Sequence, residues 1–340
     1  MKKTLAKVHA LGERGMALLL TLLVTVILAV VVLEFNYLIR VYATLSGNLV
    51  ADLQAQTAAQ STIERAKALL INDLSADRDK GILTDTLDED WATEITYQTS
   101  SSAAKANISD EMSKLNLNSL VKGSTSEMDI ESTNHEMVDS VKHLFELLDL
   151  DPGMVDSIVD WIDENDQEEP FGAEESYYQS LSPPLHCKNE PLDSVEELLL
   201  IKGFDPEILY GDEENPGLAD YVTVFGDPNG KVNINTADEK VLTAVVKSES
   251  ESSMIVDLRE DRPFETTADI TGRLPGLGLK KKLVTASSFF LVSATGRVPA
   301  EGDPAREVSI RAFLKREIPE GTEMEDQYLR VNTAFWKMER

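Results

Sequence analysis

The sequence predicts an α+β fold in which one long amino-terminal helix packs by its second half on an antiparallel sheet, while a large all-α insert divides the strands into an early and a late group. Three observations predict it. No charge lies between Arg14 and Glu34, and the apolar run there continues as an amphipathic pattern. Period-two alternation occurs over residues 91–98 and returns after residue 284. Between these stretches, apolar residues recur at three- and four-residue spacing with Gly and Pro corners.

The run from Gly15 to Leu33 would reach about 28 Å as a helix, close to the hydrocarbon thickness of a bilayer. Beyond Glu34, Phe35, Leu38, Ile39, Tyr42, Leu45, Leu49, Leu53, Ile63, Ala66, Leu69 and Leu70 recur near helical spacing. One helix from about Met16 to Asn72 is therefore expected, transmembrane over 16–33 and packed on a soluble domain thereafter. Gly47 is its weak point, costing about 1 kcal/mol against Ala. Upstream, Lys2, Lys3, Lys7 and Arg14 face the single acid Glu13, so the positive-inside rule keeps the amino end cytoplasmic and exports the remainder. The run is too long for the h-region of a cleaved secretory signal and lacks a small-x-small cut site, so it stays in the mature chain.

The 340 residues carry a net charge of -28, enough chain for two compact domains besides the helix. Such acidity argues against nucleic acid or anionic lipid as the main soluble partner and suits a calcium-exposed surface. The single cysteine, Cys187, can form no intrachain disulfide, so core, metal or partners must hold an exported domain together.

Past the helix, Asn72–Glu89 reads as a loop, Trp91–Gln98 as a strand and Thr99–Lys105 as a polar turn. Ala106–Asp110 followed by Lys114–Asn118 suggests a second strand with a kink. Ser287–Arg297, Arg306–Arg316 and Tyr328–Met338 complete the sheet, the clearest alternation being Val308, Ile310, Ala312 and Leu314 against Glu307, Ser309, Arg311 and Lys315. In the insert, helices are expected over Asp139–Leu150, Met154–Trp161, Ser194–Ile201 behind an Asp193/Ser194 cap, Asn235–Val246 and Ser253–Leu258.

The basic leader ending in Gly15, followed at once by Met16-Ala17-Leu18-Leu19-Leu20, resembles the class III leader of type IV pilins and pseudopilins. The resemblance implies cleavage after Gly15 by prepilin peptidase and methylation of the new Met16 amine. Most such subunits carry Glu as the fifth mature residue, where this chain has Leu20. In the family view that Glu pairs with the amine of the subunit next to it in the filament, since an unpaired charge in an apolar setting is costly. A subunit with nothing above it has no such amine to neutralise, so Leu20 fits a filament tip, whereas a plain signal-anchor helix would need no Glu either.

Leucine at this position, with the stretches ISDEMSKLNLNSL, VDWIDENDQEEPFGAEESYY, PLDSVEELLLIKGF and VNINTA, makes the whole chain similar to the K-type minor pseudopilins of type II secretion (general secretion pathway protein K). That implies a leader over 1–15, a long helix over 16–72, a pilin-like α+β part over 73–119, an inserted SAM- or helix-hairpin-helix-like all-α domain over 120–284 and closing strands over 285–340. It also implies assembly with the I- and J-type minor pseudopilins and the major pseudopilin, at the tip of a periplasmic filament anchored in the inner membrane, where the subunit starts assembly and caps the fibre.

Asp156–Tyr178 holds the densest chemistry, with carboxylates spaced two or three apart where a helix runs into a Gly-containing loop. Hard oxygen ligands in such a loop suit calcium, although the EF-hand frame is missing and an acidic run by itself is more often a solvated surface. The family resemblance implies calcium here. Asp160, Asp163, Asp166 and Glu174 are the expected ligands, with Asn165 and Glu168 as substitutes.

A membrane-anchored DNA receptor is the rival reading, resting on Val232–Ala237 and Leu274–Lys282, which resemble halves of helix-hairpin-helix modules. The surrounding acidity and the isolation of the lysines count against it, and no nucleic acid partner is expected. A type IV pilus minor pilin is a nearer alternative. His135, His143 and His186 show no zinc spacing, and Cys187 reads as an incidental thiol. No nucleophile elbow, Walker loop or ordered triad is present, so no enzyme activity is expected.

Overall fold

The computed structural model describes residues 2–122, 132–212, 215–275, 282–299, 305–317 and 330–339, with side chains from residue 16 onward. Helix α1 runs Lys2–Lys80, eight residues past the expected end at Asn72, so the stretch read as a loop from Asn72 is helical to Lys80. Leu74, buried, continues the apolar stripe there, and Arg78 and Lys80 in the last turn complement the helix dipole. The amino-terminal part, Met16 to Leu53, exposes its large apolar side chains, whereas Ala55, Ala59, Ile63, Ala66, Leu70 and Leu74 are buried. Within the exposed part, Thr21 and Thr25 donate back to the carbonyls of Leu18 and Thr21, and Asn36 donates to that of Val32. These polar groups are thus satisfied internally, as a helix in lipid requires.

A 3-10 turn over Asp90–Ala92 follows, then β1 (Ile95–Gln98) and β2 (Ala103–Asp110). The strand expected from Trp91 therefore starts four residues later, because Trp91 turns inward to meet Phe290 at 5.3 Å between ring centroids. The polar turn likewise ends at Ser102, just before β2 begins. The kinked second strand is two separate pieces. After Asp110 the chain leaves the sheet through a 3-10 turn, and β3 (Leu115–Asn116) pairs in parallel with β6 (Val222–Thr223) inside the insert. Leu115, Leu117 and Leu120 belong to the insert's core, so the insert begins just after Asp110 rather than at residue 120.

The insert continues through β4 (Val121–Lys122) and β5 (Ser132–Thr133), then α2 (His135–Leu147), α3 (Met154–Ile162), α4 (Glu175–Gln179) and α5 (Pro206–Tyr210). β7 (Val232–Asn233), α6 (Glu239–Val246), α7 (Glu249–Asp261), α8 (Thr267–Arg273) and β8 (Leu283–Val284) complete it. The segment expected as a capped helix at Ser194–Ile201 is a 3-10 helix over Val195–Leu200 with no side-chain cap bond from Ser194. Helix α7 is longer than expected at both ends, capped by Ser248, which accepts from Glu251 N–H.

β9 (Phe289–Val298), β10 (Arg306–Glu317) and β11 (Arg330–Glu339) close a sheet of order β1-β2-β9-β10-β11, antiparallel throughout, with the expected alternation in β9 and β10 while β11 at the edge stays largely exposed. Helix α1 lies on the face bearing Ile310, Ala312 and Leu314. Its alanines permit close approach: a Cβ on Gly296 of β9 would fall 1.9 Å from the Ala55 carbonyl oxygen. The insert touches the opposite face, where Phe225 meets Phe313 at 4.2 Å between centroids and Arg311 pairs with Glu196 at 2.8 Å.

Asp110 stands opposite Phe290 in the register, so the insert leaves and rejoins at neighbouring strand ends. Gly296 marks the Ala55 end of the sheet and Arg316, bonded to Asp73 at 2.9 Å, marks the other. The insert therefore projects from the end remote from the apolar run, about 60 Å along α1 from Leu33 to Asp73.

Candidate metal centre

Helix α3 presents Asp156 and Asp160 one turn apart on an inward face. Lys142 neutralises Asp156 at 2.6 Å. Asp160 is fully buried and accepts from Glu169 N–H at 3.1 Å, which folds the loop back over the helix end. The closing contact is Gly172, where a Cβ would fall 1.8 Å from Asp160 Oδ2. Lys202 donates to the Gly172 carbonyl at 2.8 Å and fixes that turn from outside. The side chain of Glu175 turns away, accepting from Cys187 N–H at 2.8 Å and meeting His186 at 2.7 Å.

Glu174 turns inward instead. It is 4% exposed, and both carboxylate oxygens are buried without a hydrogen-bond partner. Burial first, then the charges of Asp160, Asp163 and Asp166, pushes it up to about 7. Burial likewise pushes Asp160 up to about 6, against the pull of the Glu169 and Ala173 amides and with Glu169 and Glu168 adding repulsion. The four predicted carboxylates thus share one electrostatic neighbourhood: Asp160, Asp163 and Glu174 buried, Asp166 exposed at the rim. Asn165 and Glu168 are exposed, with Asn165 accepting from Gln167 N–H at 2.8 Å. Burying an unpaired carboxylate is costly, and oxygen donors without protein partners are what a hard cation requires. Hard oxygen donors of this kind suit calcium, but among the described residues no three of the four predicted carboxylates bring oxygens within 4.8 Å of one another. Sequence pattern missed Gly172, whose role depends on a close approach that spacing does not reveal.

Elsewhere among the described residues, one oxygen each from Asp73, Asp85 and Glu89 lies within 4.8 Å of the others, but the Arg316 guanidinium bonds the two aspartates. Arg316 had a sequence signal, since it continues the buried phase of Val308, Ile310, Ala312 and Leu314.

The stretch read as a DNA-binding half-module serves the fold. Asn233 is buried and donates to Asp110, Ser287 and the Asp85 carbonyl, while Asn235 exchanges two 2.9 Å hydrogen bonds with the Phe264 backbone. Lys282 donates to the Glu136 carbonyl at 3.1 Å. Gly276 to Lys281 lie outside the described residues. His143 meets Glu146 at 3.0 Å, and Cys187 is half-buried, its thiol pushed up to about 12 by burial and by Glu174.

Residues 113–224 match the family described as type II secretion system (T2SS), protein K, through its first region, and residues 232–290 match a second region with the same description. The chain is 25% identical over 298 residues to type II secretion system protein K of Aeromonas hydrophila, covering 82% of this chain and 87% of that one. It is 26% identical over 205 residues to the protein K of Pectobacterium carotovorum, covering 56% and 61% respectively. The fold matches a chain in the crystal structure of the GspK-GspI-GspJ complex from the enterotoxigenic Escherichia coli type 2 secretion system. That match has a TM-score of 0.63 at 17% identity and covers 88% of this chain and 99% of that chain.

Proposed function

The chain belongs to the type II secretion system protein K family, and from that premise we propose that this minor pseudopilin stands at the tip of the pseudopilus, starts its assembly and caps it. The observation that carries the reading is the insert's position. A bulky body, mainly helical with three short two-stranded sheets rather than all-α, projects from the sheet end farthest from the apolar half of α1, where a further subunit would otherwise stack. Leu20 supports it, since a subunit without a neighbour above has no amine for a glutamate to neutralise.

On this reading prepilin peptidase cuts after Gly15, Met16 becomes the methylated amino terminus, and the apolar half of α1 holds the subunit in the inner membrane with its carboxyl-terminal body in the periplasm. The solved complex supports I- and J-type minor pseudopilins as partners; the major pseudopilin would join below them. Asp160, Asp163, Asp166 and Glu174 hold calcium, which would neutralise the buried carboxylates and tie the loop to α3. The role is assembly and mechanical display rather than turnover.

Gold labelling of the insert on assembled fibres tests the position. One label at one end is expected, and labels spaced along the shaft would refute the cap. Gly15→Trp should leave an uncut precursor on a gel; normal processing of that variant would refute the leader.

A further inference from the structure

Away from the candidate metal centre, the densest buried charge lies where α1, the sheet and the insert meet. Arg316 ends the inward row of β10 and donates to Asp73 at 2.9 Å, to Asp85 and to the Ser287 carbonyl at 2.8 Å. Asp85 is held further by Ser287 N–H at 2.6 Å, and its main chain bonds Thr285 and Asn233. Asp110, closing β2, accepts from Ser287, Thr236 and Asn233. This network fastens the insert to the sheet.

Its charges do not balance. Asp73, Asp85 and Glu89 bring oxygens within 4.8 Å of one another, yet the guanidinium bonds only the two aspartates. Glu89 accepts from neutral donors, the Trp91 indole N–H at 2.6 Å and the Thr86 hydroxyl at 3.3 Å. Among the described residues the cations in the last turn of α1 have partners of their own, Lys80 with Asp77 at 3.4 Å and Arg78 with Asp79 at 3.3 Å, and Asp88 and Asp90 beside Glu89 are exposed acids. In addition, Asp85 Oδ1 is fully buried and accepts no hydrogen bond. Three carboxylates so close, with one guanidinium between them, cannot all stay ionised cheaply.

We propose that this junction is a proton-binding clasp: the cluster carries one proton at neutral pH, resident mainly on Glu89, and its loss in alkaline conditions loosens the insert from the sheet. Ionised Glu89 would compete with Asp73 and Asp85 for Arg316, the residue on which the network converges. Burial and then Asp73 push Glu89 up to about 8; burial and then Asp85 push Asp73 up to about 6. Both shifts are upward, so the folded chain binds more protons than the unfolded one. The clasp's stability is thus fully present at acid pH and is lost as pH rises through about 6 to 8.

The test uses the full chain in detergent, unfolded by denaturant from pH 5 to pH 9, against Glu89→Gln. Between pH 6 and 8 the folded-to-unfolded ratio of the wild type should fall more steeply than that of the variant, by up to about tenfold for each pH unit. Parallel curves would overturn the proposal. Should Glu89→Gln fail to fold, the wild type still reports, because the Trp91 indole N–H bonds Glu89 directly. Its proton and nitrogen resonances, assigned through Trp91→Phe, should titrate with a midpoint near 8. A midpoint below about 5, or one that moves when calcium or magnesium is added, would overturn the proton assignment.

Discussion

Glu174→Gln separates a metal ligand from a merely buried acid, because the two roles give opposite signs in two buffers. Glu174 is pushed up to about 7 by burial and by Asp160, Asp163 and Asp166. Without metal, its ionisation in the fold is held back by two to three pH units against an ordinary glutamate, which at pH 8 costs up to about 3 kcal/mol, reduced to about 1–2 where solvent reaches the loop. Glutamine removes that charge at nearly equal volume, so the variant in chelator should be the more stable, melting about 2–6 °C higher. In calcium the order reverses. A ligand at 100 times its Kd stabilises by about 2.7 kcal/mol, roughly 5–10 °C, and the variant should lose most of this gain. Melting curves of the two chains at pH 8, in chelator and in calcium, give four midpoints that should cross. The pH dependence carries the same sign. Without metal, wild-type stability should fall as pH rises through about 7, the pKa being raised, and calcium should flatten that fall. An equal calcium response in both chains, or no gain from glutamine in chelator, would refute the reasoning.

Two further substitutions test the scaffold. Gly296→Ala places a methyl 1.9 Å from the Ala55 carbonyl oxygen, where ordinary contacts begin at 3.4 Å, so α1 must move off β9; a loss of about 1–3 kcal/mol in denaturant unfolding is expected. Asn235→Ala strands the buried N–H and C=O of Phe264 and should cost about 2–3 kcal/mol in the same assay, whereas a DNA-contacting role would leave stability unchanged and alter a gel shift.

The sequence was legible where one period governed a long stretch. The apolar half of α1 shows as one uninterrupted uncharged run, and β9 and β10 follow their alternation because each buries one face against α1. It was less legible where tertiary contacts override pattern. Trp91 leaves its strand to pack on Phe290, and Leu115 and Leu117 leave the sheet for a core whose other members come from residues far along the chain. The carboxylates of the loop were visible as a run, but not that Glu174 would be the orphan while the next residue, Glu175, is satisfied by Cys187 and His186. That difference is set by which side of a two-residue step faces α3, and composition carries no trace of it.

The point of insertion explains how a subunit can gain a second body without losing its sheet. β2 and β9 are adjacent and antiparallel, with Asp110 opposite Phe290, so the chain leaves and returns across one strand spacing. Any compact domain whose termini lie close together can occupy that gap, because the strands on either side keep their register and loop closure adds only slowly with length. Rigid attachment is a separate requirement, and two features supply it: the hydrogen-bond network around Asp110, Asn233 and Arg316 at the strand ends, and the Phe225–Phe313 contact with the Glu196–Arg311 pair on the outer face. A hinge at the strand ends alone would let the insert swing. With the outer face also engaged, the insert is fixed to the sheet at two separate places.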